Sequence, residues 1–164
     1  MSDQMQTSWR MLPSPLGDLL LTATLRGLSG LFLCLGHSKV EIRPEWVSDP
    51  IGFTKVARQL EEYFAGERQV FEIPLDLHGT PFQLKVWQEL RQISYGTTIS
   101  YGQLAQRIGQ PKASRAVGLA NGSNPVSIIV PCHRVIGANG ALTGYGGGLR
   151  NKQALLDLER KVGA

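Results

Sequence analysis

The chain has 164 residues and a mass of 17.9 kDa, which sets it at one compact unit or two small ones. Hydrophobic residues at 42% and charged residues at 18% exclude a disordered chain and a fibrous repeat, and no apolar run nears the roughly 18 residues that cross a bilayer. The net charge of +4 is split unevenly, with 7 Lys/Arg against 10 Asp/Glu up to Gly79 and 10 against 3 from Thr80 onward. The second half is therefore expected to meet something anionic, with nucleic acid the first candidate and a solvated basic face the alternative.

The opening MSDQMQTSWRM carries no apolar core behind a basic leader, so a cytoplasmic protein without a membrane partner is expected. Residues 17–35, GDLLLTATLRGLSGLFLCL, read as a hairpin turning at Arg26-Gly27. Helical spacing of Phe53, Val56, Ala57, Leu60, Tyr63 and Phe64 predicts a helix that Gly66 stops, and a short strand over 70–73 follows. Thr80-Pro81 starts the next helix, running to about Ile93 on a stripe of Phe82, Val86, Trp87, Leu90 and Ile93. Ser100 precedes a short helix that ends at Gly109, and Pro111 starts another from Lys112 to about Asn121. That pair reads as a helix-turn-helix, although many αα corners look alike and bind nothing.

In the second helix of the pair Ala113, Ser114, Ala116, Gly118 and Ala120 are all small, and Arg115 is the one long side chain of its first turn. Such a helix suits close approach to a narrow groove rather than readout of base edges; tight packing within the protein is the alternative. Residues 126–136, VSIIVPCHRVI, begin as a buried β-run that the proline ends just before Cys132, placing a thiol at a strand end beside His133. The glycine-rich GANGALTGYGGG then allows backbone to approach a flat ligand, and Asn151 caps a last helix in which Glu159 could point inward.

Cys34 and Cys132 are too few for a disulfide framework or a four-cysteine zinc site; no metal and no cofactor is expected, and Cys34 reads as a buried hydrophobe. A thiol attacks only as thiolate and needs a base or a positive field near neutral pH. His133 and Glu159 could supply both. Neighbouring residues point apart, so a water would link His133 to the sulfur, with a carboxylate on the far side fixing the imidazole.

The string PCHRV at 131–135, with Asn124-Pro125 and RAVG at 115–118 before it and Gly144-Tyr145 after it, resembles the O6-alkylguanine-DNA alkyltransferases from about Thr80 to Glu159. The resemblance implies an α+β chain. A small ribonuclease-H-like structural domain would occupy 1–79, and a mostly helical domain with a winged helix-turn-helix would occupy 80–164. It implies DNA repair by direct, irreversible, single-use transfer of an alkyl group from O6-alkylguanine to a cysteine, after the base is flipped out through the minor groove. Cys132 matches the nucleophile, His133 the base, Glu159 its orienter, and Tyr101 the tyrosine that assists base rotation and donates toward guanine N3. Arg115 matches the arginine that enters the vacated stack, and Ser100, Ala113, Ser114 and Gly118 fall on the DNA side. Asn124 braces the turn before the active-site segment, while Val135 by its carbonyl, Tyr145, Gly146 by its amide, and Lys152 line the substrate. Ser127 replaces a second proline found in some relatives, which leaves tolerance of bulky adducts open. The implied partner is double-stranded DNA containing O6-alkylguanine, met by a monomer, with cooperativity on DNA left open. The competing reading is a minor-groove or lesion-recognition module in which Cys132 is merely buried.

Overall fold

A computed structural model describes residues 6–34, 41–145 and 147–163. Its first half is a four-stranded sheet, β1 (Ser8–Leu12), β2 (Leu19–Thr24), β3 (Gly27–Leu33) and β4 (Val47–Ser48), in the order β3-β2-β1-β4. The expected hairpin is β2 and β3, paired antiparallel from Leu19–Leu33 to Thr24–Gly27. Its turn needs Gly27: φ is 151°, and a Cβ there would come within 2.5 Å of the Pro74 carbonyl oxygen. The apolar face of this sheet, with Leu19, Leu21 and Leu31 fully buried, is covered by α1 (Thr54–Phe64), which turns Val56, Ala57, Leu60 and Tyr63 inward. Each such leucine contributes roughly 1.5–3 kcal/mol by leaving water. Two strands at the sheet's other side, β1 and β4, had no clear alternation to announce them.

The expected strand over 70–73 does not form. Side chains take the place of a partner strand: Gln59, buried on α1, accepts from the Glu72 amide at 2.9 Å and donates to the Glu72 carbonyl at 3.4 Å, and Arg68 donates to the Val70 carbonyl at 2.7 Å. Only Leu75, further on, bridges to Leu28.

The second half begins with α2 (Pro81–Leu90), which starts where the capping signals place it. Thr80 Oγ1 accepts from the Gln83 amide and the Gln83 side chain accepts from the Thr80 amide. It ends three residues short of Ile93. Then come β5 (Ile99–Ser100), α3 (Tyr101–Arg107), α4 (Ser114–Gly122), β6 (Val135–Ile136), which pairs parallel with β5, and α5 (Leu149–Gly163). A capping box at Ser100 and Gln103 opens α3, and α4 opens at Ser114 rather than Lys112. Trp87, 2% exposed, fixes α2 against α4 by donating its indole N–H to the Ala120 carbonyl at 2.8 Å. The helix-turn-helix thus rests on the same core as the rest of the domain.

Residues 126–130 are not a strand. Val126 makes one isolated bridge to Leu31, at the free edge of β3, after which the chain turns through Ile128 with φ of 73°. The amide of Asn124 takes over the polar work, accepting from the Val126 N–H at 3.0 Å and donating to the Val130 carbonyl at 2.8 Å. A β-branched run that reads as a strand is therefore folded into successive turns, and Cys132–Arg134 follow as one turn of 3₁₀ helix. Asn151 is also displaced from its expected role: it lies inside the first turn of α5, donating to the Gly147 carbonyl at 2.8 Å.

Candidate active site

The 3₁₀ turn at Cys132–Arg134 sends three consecutive side chains into the protein, and α5 brings Glu159 to meet two of them. Glu159 Oε2 lies 2.7 Å from His133 Nε2, and Arg134 clamps both carboxylate oxygens, Nε to Oε1 at 2.8 Å and Nη2 to Oε2 at 3.0 Å. The Gly96 amide donates to Oε1 at 3.2 Å and the Tyr63 hydroxyl to Oε2 at 2.6 Å. Burial resists ionisation of Glu159, but the bonds and charges of His133 and Arg134 outweigh it and hold the carboxyl well below its usual range. A carboxylate can only accept, so the proton between it and the ring belongs to Nε2. Nδ1 is thereby left as the lone-pair nitrogen, buried and without a protein partner among the described residues. Burial also pushes the imidazole's affinity for a second proton down, with Glu159 opposing and Arg134 and Lys152 reinforcing the shift. His133 is a neutral ring oriented as a base.

Cys132, 5% exposed, opens onto a cavity of about 240 Å³ that Asn124, Ser127, Gly144, Tyr145 and Gly147 also line. Burial pushes its thiol up; a hydrogen bond from Asn124 and the charge of Lys152 pull the other way. The N-terminal sheet closes one wall with Phe32 and Leu33. Gly147 admits that wall, since a Cβ there would meet Leu33 Cδ2 at 2.9 Å. The buried Lys152 ammonium donates to the Val135 carbonyl at 2.7 Å and to the Thr143 carbonyl at 2.8 Å, tying α5 to β6 and to the glycine-rich loop. Tyr101, first residue of α3, donates its hydroxyl to the same Thr143 carbonyl at 3.1 Å and stands over Gly144 at the cavity's edge. The Tyr145 hydroxyl is buried beside Ser127 without a well-formed hydrogen bond.

The chain matches, over residues 81–161, the profile described as 6-O-methylguanine DNA methyltransferase, DNA binding domain, and over residues 8–77 that family's ribonuclease-like domain. It belongs to the 6-O-methylguanine DNA methyltransferase family. A methylated-DNA–protein-cysteine methyltransferase of Methanosarcina acetivorans is 53% identical over 89% of this chain and 94% of its own length. The protein of the same name from Mycobacterium tuberculosis is 52% identical over 93% of this chain and 92% of its own. The crystal structure of Mycobacterium tuberculosis OGT in complex with DNA superposes with a TM-score of 0.89 at 51% identity, covering 94% of each chain. The family's two-domain architecture, ribonuclease-like and then helical, is the α+β fold expected from the resemblance.

In this methyltransferase the residues expected on the DNA side lie together on one surface. Arg115 and Ser114 are exposed in the first turn of α4, Ala113 precedes them at the cap position, and Gly118 is half-buried against the Tyr101 ring. Ser100 precedes α3, its hydroxyl engaged as a cap. Packing accounts for Ala120, which is buried in the core beside Trp87, but it does not demand the small residues on the outer face of α4. Ser114 and Ala116 face solvent, and a Cβ on Gly118 would sit 3.7 Å from the Tyr101 ring, an ordinary contact. The structure brings Cys132, His133, Glu159, Asn124, Val135, Tyr145, Lys152 and Tyr101 around or behind one cavity; Gly146 lies outside the described residues.

Two members of the constellation were not singled out from the sequence. Arg134 follows Cys132 and His133 directly, and a buried cation beside a nucleophile was a signal that it has an acidic partner. Tyr63 lay in an apolar helical stripe and gave no such sign. Among the described residues no helix is long and apolar enough to cross a membrane.

Proposed function

We propose that this methyltransferase repairs DNA by moving the alkyl group of an O6-alkylguanine onto Cys132, once and irreversibly. The observation that carries the reading is Cys132 opening onto a cavity while the imidazole of the next residue is locked by Glu159 with its basic nitrogen free. The thiol proton passes through a bridging water to His133 Nδ1. Sulfur then attacks the alkyl carbon, the carbon–O6 bond breaks, and its electron pair returns to the guanine ring, which gains a proton at N3 from Tyr101. His133 returns its proton to solvent and solvent reprotonates Tyr101, so the thiol hydrogen has been exchanged for the alkyl group overall. A sulfur cannot reach a stacked base, so the nucleotide is rotated out through the minor groove, with α4 laid close to the backbone and Arg115 filling the gap. The Val135 carbonyl, which keeps a lone pair beyond its bond to Lys152, accepts from the guanine amino group; Asn124 holds the turn, and Tyr145 completes the pocket. Ser100, Ala113, Ser114 and Gly118 meet the sugar-phosphate edge.

The domains divide at Gly79–Thr80, supported by family matches that end at 77 and resume at 81. Two unpaired thiols fit a reducing cytoplasm. Intact-mass measurement after incubation with a duplex carrying one O6-methylguanine tests the assignment: one added methyl located on Cys132 is expected. Binding with unchanged mass would leave only the lesion-recognition reading.

A further inference from the structure

The ribonuclease-like domain places one side chain on the carboxylate behind the nucleophile. Tyr63, on α1 and fully buried, donates its hydroxyl at 2.6 Å to Glu159 Oε2, 96 positions away, the same oxygen that holds His133 Nε2 at 2.7 Å. Its ring is fixed on three sides, by Phe64 and Phe71 with centroids at 5.4 Å and by Tyr95 at 6.1 Å. A phenylalanine would keep those contacts. What the tyrosine adds is a hydrogen bond to a carboxylate that Arg134 already neutralises. Burial and the neighbouring carboxylate push the phenol far above its ordinary range, so the hydroxyl remains a donor at every working pH.

We propose that Tyr63 is a positioning residue for alkyl transfer: by sharing Glu159 Oε2 with His133 Nε2–H it limits the carboxylate's pull on the ring and keeps His133 available as a base near neutral pH. The inference rests on the role of His133 proposed above. Three donors, Tyr63, His133 and Arg134 Nη2, share the lone-pair density of one oxygen, and a charged imidazolium gains more from a less contested carboxylate than a neutral ring does. Removing the Tyr63 hydroxyl leaves that oxygen to His133 and Arg134 and stabilises the protonated ring. The other groups facing the pair stay unchanged. These are Tyr95 and the Gly96 amide from the segment after α2, Arg134 from the 3₁₀ turn, Lys152 from α5, and Cys132 and Tyr145 on the cavity side.

The test is the protonation midpoint of His133, followed by nitrogen-15 NMR of the imidazoles in the free protein. Alongside it runs the acid limb of the single-turnover transfer rate on O6-methylguanine DNA. Tyr63→Phe is expected to raise both by roughly half to one pH unit, since each reports one lost hydrogen bond at a shared carboxylate. Site-specific replacement of Tyr63 by 3-fluorotyrosine, a stronger donor of nearly equal size, is expected to lower both, and it serves if the phenylalanine variant does not fold. Unmoved midpoints in a variant that only melts earlier would reduce Tyr63 to packing and overturn the proposal. An NMR midpoint that moves while the acid limb stays put would overturn His133 as the base and leave the Tyr63–Glu159 coupling standing.

Discussion

Five hydrogen bonds converge on Glu159, and their value depends on who is left behind when one partner goes. Arg134→Met removes both halves of a bidentate pair, leaving a buried carboxylate to be neutralised or hydrated. A loss on the order of 3–5 kcal/mol in urea unfolding is expected. Lys161→Met, on the exposed side of α5, is expected to unfold like the parent. At the nucleophile, chemistry and affinity separate. Cys132→Ser is expected to bind O6-methylguanine DNA undiminished in a gel-shift assay and to transfer no methyl, because groove contacts hold the DNA and only a thiol is nucleophilic enough to react. Cys34→Ser is expected to transfer normally; inactivity there would unseat Cys132.

The recognition elements depend on helix geometry more than on single contacts. Arg115 is exposed in the first turn of α4 and is expected to matter only when a base must leave a stack. Arg115→Ala should therefore slow transfer from duplex DNA while sparing reaction with free O6-alkylguanine base, since unstacking costs a few kcal/mol that the free base never incurs. Rate constants on the two substrates decide it, and an equal loss on both would point to a pocket role or a damaged fold. Local signals served well where the chain satisfies itself locally. The Thr80 and Ser100 capping boxes start helices where expected, and the Gly27 hairpin turns where expected. They failed where one side-chain amide overrode propensity. Asn124 folds 126–130 into turns that no β-branched composition announces, and Gln59 does the same to the supposed strand near Glu72. The pair Cys132–His133 was legible from adjacent residues, and Glu159 from its place among apolar neighbours in the last helix, before the family resemblance gave it a role. Arg134 and Tyr63 gain their meaning only from chain separations of 25 and 96 residues, which a linear reading does not reach.

On the scale of the whole molecule, both domains meet at the reacting centre. The β3 edge bridges to Val126, Phe32 and Leu33 wall the cavity, and Tyr63 touches the carboxylate. An alkyl group on Cys132 takes up part of that cavity against its walls, and overpacking typically costs about 1 to 3 kcal/mol. The alkylated protein is expected to melt roughly 2–8 °C lower than the free form by calorimetry, the range such a cost produces in a chain of this size. Acid should weaken the fold with a definite sign. Folded His133 resists protonation, so folding is penalised as pH falls below about 6.5, the unfolded histidine value. Glu159 is held ionised, so its contribution is present above about 4.3, the unfolded glutamate value, and is lost as pH falls further. A melting temperature that declines steadily from pH 7.5 to pH 4 is expected, and one that rises toward acid would contradict both assignments.

The Gly96 amide bonds to Glu159 Oε1 from a segment that is itself exposed at the surface. One backbone proton near solvent thus samples the electric field of a buried charge. Its resonance should shift whenever that charge is redistributed, on protonation of His133 or on conversion of Cys132 to a thioether. A single resonance in a two-dimensional amide spectrum of nitrogen-15-enriched protein would then count spent and unspent molecules in a mixed population, without antibody or substrate.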